Sequence, residues 1–355
     1  MSEVTTHIYY CDNPAHAIED ALASAGAPQL FVVADDNTAR MCLPLLAAAV
    51  PSVAAATVLT LRPGDEAKTL SAAESLWRQL TDAGATRKSM ILNLGGGMVT
   101  DLGGFVAATF KRGMPYINVP TTLLGTVDAA VGGKTAVNFA GLKNQVGVFA
   151  QPAATFISTC FFDTLPEREL LSGYAEMLKH ALLEGPEALA AALDCDIIAL
   201  DPATLLPLLR ESVATKERIV AADPTERGLR KALNLGHTAG HAIEELALEK
   251  GALVPHGYAV AWGLVVELVL SHTECGMSTQ WLYPVAACVR RLYGSMPVEC
   301  SDYPRLLALM AHDKKNTSPD TTNFTLLEAP GRPRIDCTAA PEAITAALDI
   351  ARDLI

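Results

Sequence analysis

At about residue 165 the sequence changes its period, and that change restricts the chain to few architectures. Before it, short β-rich runs alternate with turn signals and one run of helical spacing: QLFVVADD (29–36), ATVLTLRPGD (56–65), SAAESLWRQLTDAGA (71–85), SMILNLGGG (89–97) and YINVPTT (116–122). Strand, helix and strand joined by short turns is the pattern of a parallel sheet with crossover helices. Beyond it, Leu/Ala/Glu-rich stretches take over, at 167–184, 187–193, 203–222, 231–249, 257–274, 280–293 and 340–353. TNFTLLEAPG (322–331) alone in this half alternates like a short strand or hairpin. FDTLPEREL (162–170) reads as the hinge, with Pro166 at a helix start. The expectation is an α/β domain over 1–165, with a Rossmann-like parallel sheet, and an all-α domain over 166–355.

Bulk properties narrow the function. Half of the 355 residues are apolar, so a large core can form. The net charge of −12 disfavours nucleic acid and anionic membrane as partners, but leaves room for a small anionic ligand where the few cations gather. The eight cysteines are spread singly with no C-x-x-C pair, which suggests reduced thiols and a cytoplasmic location. The opening residues MSEVTTHIYYCDNP show no basic segment followed by an apolar one, so no secretory signal is expected in them. The oily run Gly257–Leu270 is interrupted by Glu267 and is too short to span a bilayer.

Four stretches carry chemistry. LNLGGGMVTDLGGF (92–105) places three glycines after a strand and Asp101 inside the next helix. Backbone without Cβ, at a helix N-terminus, suits a pyrophosphate; a tight turn with close helix packing explains the same residues. VPTTLLGTVDAAVGGKTAVNFAGLKNQVGVF (119–149) mixes Asp128, Lys134, Asn138, Lys143 and Asn144 with glycines and reads as a loop for an anionic ligand. In SGYAEMLKHALLEG (172–185), Glu176 and Lys179 stand i,i+3: either a surface ion pair, or a metal carboxylate beside a substrate donor, with His180 structural. In TKERIVAADPTERGLRKALNLGHTAGHAIEE (215–245), Lys216 leads to Arg230 and Asn234, whose i,i+4 spacing predicts one helix face continuing toward His237 and His241.

Four helical residues advance about 400°, so the two histidines project together, as a grip on one ion or as two solvated rings. Thr238 follows His237 where a zinc peptidase has Glu, which removes that chemistry. A catalytic zinc site needs three protein ligands and an open position; Glu176, His237 and His256 are available, with His241 as a further candidate.

Taken in order, these motifs resemble the 3-dehydroquinate synthase family. PTTLLGTVDAAVGGKTAVN, GLKNQVGVF, LPERELLSGYAEMLKHALL, NLGHTAGHAIE and HGYAVAWG each match a family motif, over about residues 62 to 316. The resemblance implies an NAD-binding domain followed by a helical metal- and substrate-binding domain. It implies that Glu176, His237 and His256 hold zinc, or cobalt in its place, while His241 turns to the substrate, the small residues between the two rings leaving room. Gly96, Gly97, Asp101, Thr121, Thr122, Phe161 and Thr164 would surround the dinucleotide, with Asp65 and Lys68 at its adenosine end and Asp128 and Lys143 near the nicotinamide. Lys134, Asn144, Lys179, Lys216, Arg230, Asn234 and Lys314 or Lys315 would take the phosphate, carboxylate and hydroxyls of the substrate. Arg112, in FKRG, would reach across a homodimer interface.

The implied reaction converts 3-deoxy-D-arabino-heptulosonate 7-phosphate into 3-dehydroquinate and phosphate, a step of the shikimate pathway to aromatic amino acids. It proceeds by transient oxidation, phosphate elimination, reduction and intramolecular aldol closure. Thr100, Ala129–Ala130, Asp65, Ala239 and Tyr258 depart from the commonest family pattern without removing a proposed ligand or charged contact. The alternatives are a sister sugar phosphate cyclase of valiolone or deoxy-inosose type, a metal-dependent alcohol dehydrogenase, and a binder without turnover.

Overall fold

The computed structural model describes residues 7–11, 13–26, 28–199, 201–311 and 322–355. Contacts divide the chain into two compact units, Met1–Pro166 and Glu167–Ile355. Among the described residues no helix is long and apolar enough to cross a membrane.

The first unit is built on six parallel strands: β1 (His7–Tyr10), β2 (Leu30–Asp35), β3 (Thr57–Leu61), β4 (Met90–Gly95), β5 (Tyr116–Pro120) and β8 (Ala154–Ile157). They are ordered β1-β8-β5-β4-β2-β3. In register, Val32 of β2 lies beside Leu92 of β4, which lies beside Ile117 of β5. β2 and β4 are almost wholly buried because both sheet faces are covered. Alternate residues feed two cores. Val32, Leu92 and Phe156 pack on one face, and Phe31, Val33 and Ile91 pack with Leu76 and Leu102 on the other. β3 and β4 flank β2 on opposite sides, so the winding reverses there, at the carboxyl ends where such sheets bind ligands.

The stretch 119–149 is not the loop expected from its glycines and amides. It holds a single wide turn of helix, Gly125–Ala129, then an antiparallel hairpin of β6 (Lys134–Phe139) and β7 (Leu142–Phe149). Thr135 and Val137 point inward from β6, so period two was present over one short strand only, while β7 is exposed throughout. Ala140 and Gly141, both at positive φ (53° and 79°), form the two-residue turn. Such a turn matches the twist of paired strands.

Among the described residues the second unit is helical except for one hairpin, β9 (Thr322–Ala329) with β10 (Arg332–Ala339), where the alternation of 322–331 placed it. The His256–Cys275 helix is buried on nearly every side from Gly257 to Ser271, as an all-round apolar helix must be. The expected face from Arg230 to His241 does not exist. Arg230 and Asn234 lie in a tight three-residue-per-turn segment, Leu229–Asn234, where i and i+4 do not share a face. Leu235 is then extended and Gly236 left-handed (φ +79°), and a new helix starts at His237.

Candidate active site

Three helices of the second unit meet at glycines. A Cβ on Gly257 would overlap the backbone of Ser172, whose hydroxyl accepts the Gly257 N–H at 3.0 Å. That approach sets His256 beside Glu176, one turn along the Glu167–Glu184 helix. A Cβ on Gly263 would overlap the Gly236 carbonyl, and one on Gly240 would lie 2.9 Å from the Ala259 carbonyl oxygen. The His237–Glu249 helix is thereby brought against the His256–Cys275 helix. So the small residues between His237 and His241 do not leave room for substrate. Ala239 and Gly240 are covered, and the Thr238 hydroxyl donates to the Asn323 carbonyl at 3.1 Å.

The outcome is a histidine cluster on a buried carboxylate. Rings of His237 and His241 lie 5.2 Å apart, and His256 lies 5.5 and 5.7 Å from them. Each ring offers a nitrogen within 4.8 Å of the others. Glu176 is fully buried, and its Oε1 is 3.4 Å from His237 Nε2 and 3.6 Å from His256 Nε2. The far nitrogens are also held. His237 Nδ1 meets the Leu235 carbonyl at 3.1 Å, and His256 Nδ1 meets Glu244 Oε2 at 3.0 Å. An oxygen acceptor at Nδ1 leaves Nε2 as the coordinating atom, the usual arrangement around metal-binding imidazoles. Glu244 was missed by sequence reasoning; its spacing from His241 carries no signal for a contact with His256, twelve residues on.

Burial and charge oppose each other throughout the cluster. Burial pushes the Glu176 carboxyl up, but the Lys179 ammonium and the His237 ring hold it well below the usual carboxylate range. Burial and Lys179 push His237 down. Burial lowers His256 too, yet its bonds to Glu176 and Glu244 raise it to about 10. Two carboxylates thus favour positive charge at that ring. Lys179, also buried, pairs with Glu176, so the i,i+3 pair is an interior one and not a surface pair. His180 is buried with Nδ1 2.8 Å from the Ser212 hydroxyl.

Two further expected cations are interior. Lys216 is buried on the Pro202–Ala222 helix. Arg230 is buried, its Nη1 donating to the Pro224 carbonyl at 2.8 Å. Asp223 shapes that turn by accepting the N–H groups of Arg227, Gly228 and Arg230 at 3.1, 2.7 and 3.1 Å. The Asn234 amide instead reaches Glu226 Oε1, at 3.4 Å. Lys314 and Lys315 lie outside the described residues.

In the first unit the glycines after β4 divide in purpose. Gly103 and Gly104 admit Asn93 and Thr135 against the Gly97–Thr109 helix, which is close packing. A Cβ on Gly96 would lie 2.9 Å from Thr122 Cγ2, and one on Gly97 3.0 Å from the Ala129 methyl, so both positions leave little room for a side chain. That helix still opens at Gly97 with unbonded N–H groups at a strand end, where a phosphate can sit. Lys68 lies 3.1 Å from Asp101 Oδ2 and 3.3 Å from Asp65 Oδ1. Asn138 donates to Asp65 Oδ2 at 3.0 Å and accepts the Asn144 N–H at 3.0 Å, fastening the hairpin to this cluster. Burial raises the Asp65 carboxyl, but Lys68, Asn138 and Lys143 lower it below its usual range. Lys143 is thus within electrostatic reach of Asp65.

Thr121 and Thr164 gather at the buried Cys42 thiol, which burial pushes up to about 11. Phe161 is packed in the core. Asp128 is half-buried in the Gly125–Ala129 turn, Lys134 is exposed, and Arg112 is exposed at φ +68° after Lys111 at +49°. Tyr258 packs edge-on against Trp262 and Tyr293. The Thr100 hydroxyl bonds the Gly97 carbonyl at 3.1 Å.

A parallel-sheet unit with a glycine-opened helix, followed by a helical unit with a carboxylate–histidine cluster, is consistent with the two-domain fold of sugar phosphate cyclases. Solved structures bear this out at the level of fold. A 2-epi-5-epi-valiolone synthase from Streptomyces hygroscopicus, with NAD⁺ and Zn²⁺ bound, superposes with a TM-score of 0.84 at 25% identity, over 99% of this chain and 98% of that one. A 2-deoxy-scyllo-inosose synthase complexed with carbaglucose-6-phosphate, NAD⁺ and Co²⁺ gives 0.81 at 23%, over 98% and 96%. A probable glycerol dehydrogenase from Sinorhizobium meliloti gives 0.63 at 15%, over 98% and 96%.

Sequence identifies the branch. Residues 58–172 match the family model for the 3-dehydroquinate synthase N-terminal part, and 173–316 the model for its C-terminal part. The chain is 44% identical to the 3-dehydroquinate synthase of Parabacteroides distasonis over 98% of both chains, and 38% identical to that of Listeria innocua over 94% of both. The chain belongs to the 3-dehydroquinate synthase family and is an enzyme.

Proposed function

We propose that this chain converts 3-deoxy-D-arabino-heptulosonate 7-phosphate to 3-dehydroquinate and phosphate, using NAD and a divalent metal, zinc or cobalt. One observation carries the reading: His237 and His256 both aim Nε2 at one oxygen of Glu176 while an oxygen holds each Nδ1. The donor set also fits a metal by its chemistry. Glu176 is completely buried and paired with Lys179 through Oε2, while among the described residues Oε1, which both imidazoles face, accepts no hydrogen bond. Such a carboxylate calls for a cation. Glu176, His237 and His256 would hold the ion, and His241 would face the substrate. When bound, the ion supplies Lewis acidity at the hydroxyl to be oxidised, and the nicotinamide supplies a reversible hydride store.

The chain's own residues do the rest. Arg230 presents a planar fork to a carboxylate or phosphate and is fixed by Pro224 and by the turn on Asp223. Lys179 and Lys216 are buried ammonium groups that bind anionic oxygens as point charges. Lys134, Asn144 and Lys314 or Lys315 complete the substrate set. The free N–H groups at Gly97, with Gly96, Thr121 and Thr122, hold the dinucleotide phosphates. Asp65, Lys68, Asp101, Asp128, Lys143, Phe161 and Thr164 complete its surroundings. Exclusion of water around Glu176 strengthens every one of the charge contacts there.

A sister cyclase acting on a neutral sugar phosphate would not need Lys216, Arg230 and Asn234 together. The same reading makes the protein a cytoplasmic homodimer. The left-handed turn at Lys111 and Arg112 supports a presented Arg112, and size-exclusion chromatography of Arg112→Ala against the parent tests it. The function itself is tested with purified protein, zinc, catalytic NAD⁺ and the heptulosonate phosphate. Stoichiometric phosphate without NADH accumulation is expected. Phosphate released from a neutral sugar phosphate instead would move the chain to a sister activity, and NADH build-up would make it a dehydrogenase.

A further inference from the structure

The helix that carries His237 starts without a cap of its own. Its N-cap is Gly236 and its third residue is Ala239, so neither side chain can serve the N–H groups that a helix start leaves open. Gly236 can carry no side chain: φ is +79°, and a Cβ would press on Leu264 at 2.7 Å. The cap comes from another helix. Glu267 Oε2 accepts the Gly236 N–H at 2.6 Å, and Oε1 accepts the Ala239 N–H at 3.1 Å. These are the two N–H groups that a capping box satisfies locally with a Ser or Thr and a Glu. Here one carboxylate serves both from outside.

Glu267 is fully buried and is the only charged residue between Gly257 and Ser271. A carboxylate in such a helix costs several kcal/mol unless bonded and compensated, and two N–H groups at the positive end of a helix provide that compensation. Ser271, one turn on, donates to the Glu267 carbonyl at 2.6 Å and accepts the Leu327 N–H at 3.0 Å, tying the clamp to β9. His237 is the first residue of the clamped turn, between the two bonded amides. The Leu235 carbonyl that orients its ring directly precedes them.

We infer that Glu267 is a positioning residue for the metal centre: by clamping Gly236 and Ala239 it fixes the backbone that aims His237 at Glu176. This rests on the metal reading above, and the test separates the two. Glu267→Gln is close in size but offers one acceptor oxygen; Glu267→Ala offers none. In metal-free protein, amide hydrogen exchange at Gly236 and Ala239 should speed at least about tenfold in both variants while β2 and β4 amides are unchanged. Co²⁺ affinity, by chelator competition, should fall about 10- to 100-fold, with an altered visible spectrum. Tyr303→Phe, which removes a hydrogen bond to Asp349, serves as a stability control and should keep wild-type affinity.

Wild-type Co²⁺ affinity and spectrum in folded Glu267→Gln would overturn the inference. Should Glu267→Ala not fold, the Gln variant decides. A wild type that binds no Co²⁺ would sink the metal reading, and unchanged exchange at Gly236 and Ala239 would separately sink the clamp.

Discussion

The charged cluster beside β4 and the one around Glu176 contain similar residues and solve opposite problems. Near β4, the buried Lys68 is shared by Asp101 and Asp65, the latter side chain 42% exposed, so one cation offsets part of two carboxylates and water reaches Asp65. Around Glu176 the carboxylate is 0% exposed, and it faces an ammonium and two imidazoles. A cluster whose ions already pair and of which one carboxylate is wet gains modestly from a ligand. A dry cluster of donors is built around what it binds, and changes there should cost far more.

Substitutions can sharpen or break that contrast. The largest effect is expected from His237→Ala, which should abolish turnover and lower metal affinity by more than about 100-fold, since even outer partners of a ligand are worth 10- to 100-fold. Wild-type zinc stoichiometry in that variant, by metal analysis, would remove His237 from the centre. Next comes Lys179→Met. It strands the buried Glu176, and urea unfolding of metal-free protein should show a loss of about 3–5 kcal/mol. Added zinc should restore part of it; no loss at all would mean that the cluster is wetter than its geometry.

Arg230→Ala should raise KM and lower kcat, about 10- to 100-fold in kcat/KM, the worth of a charge-assisted bond. An unchanged kcat/KM would take Arg230 out of the site. Lys68→Met should weaken NAD⁺ binding by about 1 kcal/mol, since the ammonium is already shared between Asp101 and the half-exposed Asp65, read by fluorescence titration. A hundredfold loss would erase the contrast between the clusters.

The smallest effect concerns pH. The Gly228 N–H foremost, then those of Arg227 and Arg230, hold the Asp223 carboxyl below its usual range. A depressed carboxylate stabilises fully above its unfolded value, and that contribution is lost as pH falls through the folded value. Between about pH 5 and pH 3, the parent should therefore lose stability more steeply than Asp223→Asn. Parallel unfolding curves across that range would show that the turn does not depend on the charge.

Much of this was written in local patterns. Short continuous apolar runs in β2 and β4, and helical spacing from Glu167 onward, fixed both classes of element and the change near residue 165, because burial on both sheet faces or along a helix face imposes its pattern on the chain itself. The β6–β7 hairpin escaped, since one strand alternates over few residues and the other is exposed on every residue. The Arg230–His241 face was misread because a three-residue turn and a left-handed Gly236 leave little trace in side-chain spacing.

Residue types brought forward Glu176, His237, His256 and His241 as candidate metal ligands, and motif order placed the chain near its family, whose resemblance set His241 aside. Tertiary structure alone decided how those groups are held. The Gly257–Ser172 and Gly263–Gly236 approaches, the Glu244 contact to His256 and the Glu267 clamp on Gly236 and Ala239 all join segments distant in sequence or in separate helices. A sequence lists donors and acceptors; which of them meet depends on how closely two backbones pass, and that distance is set by packing.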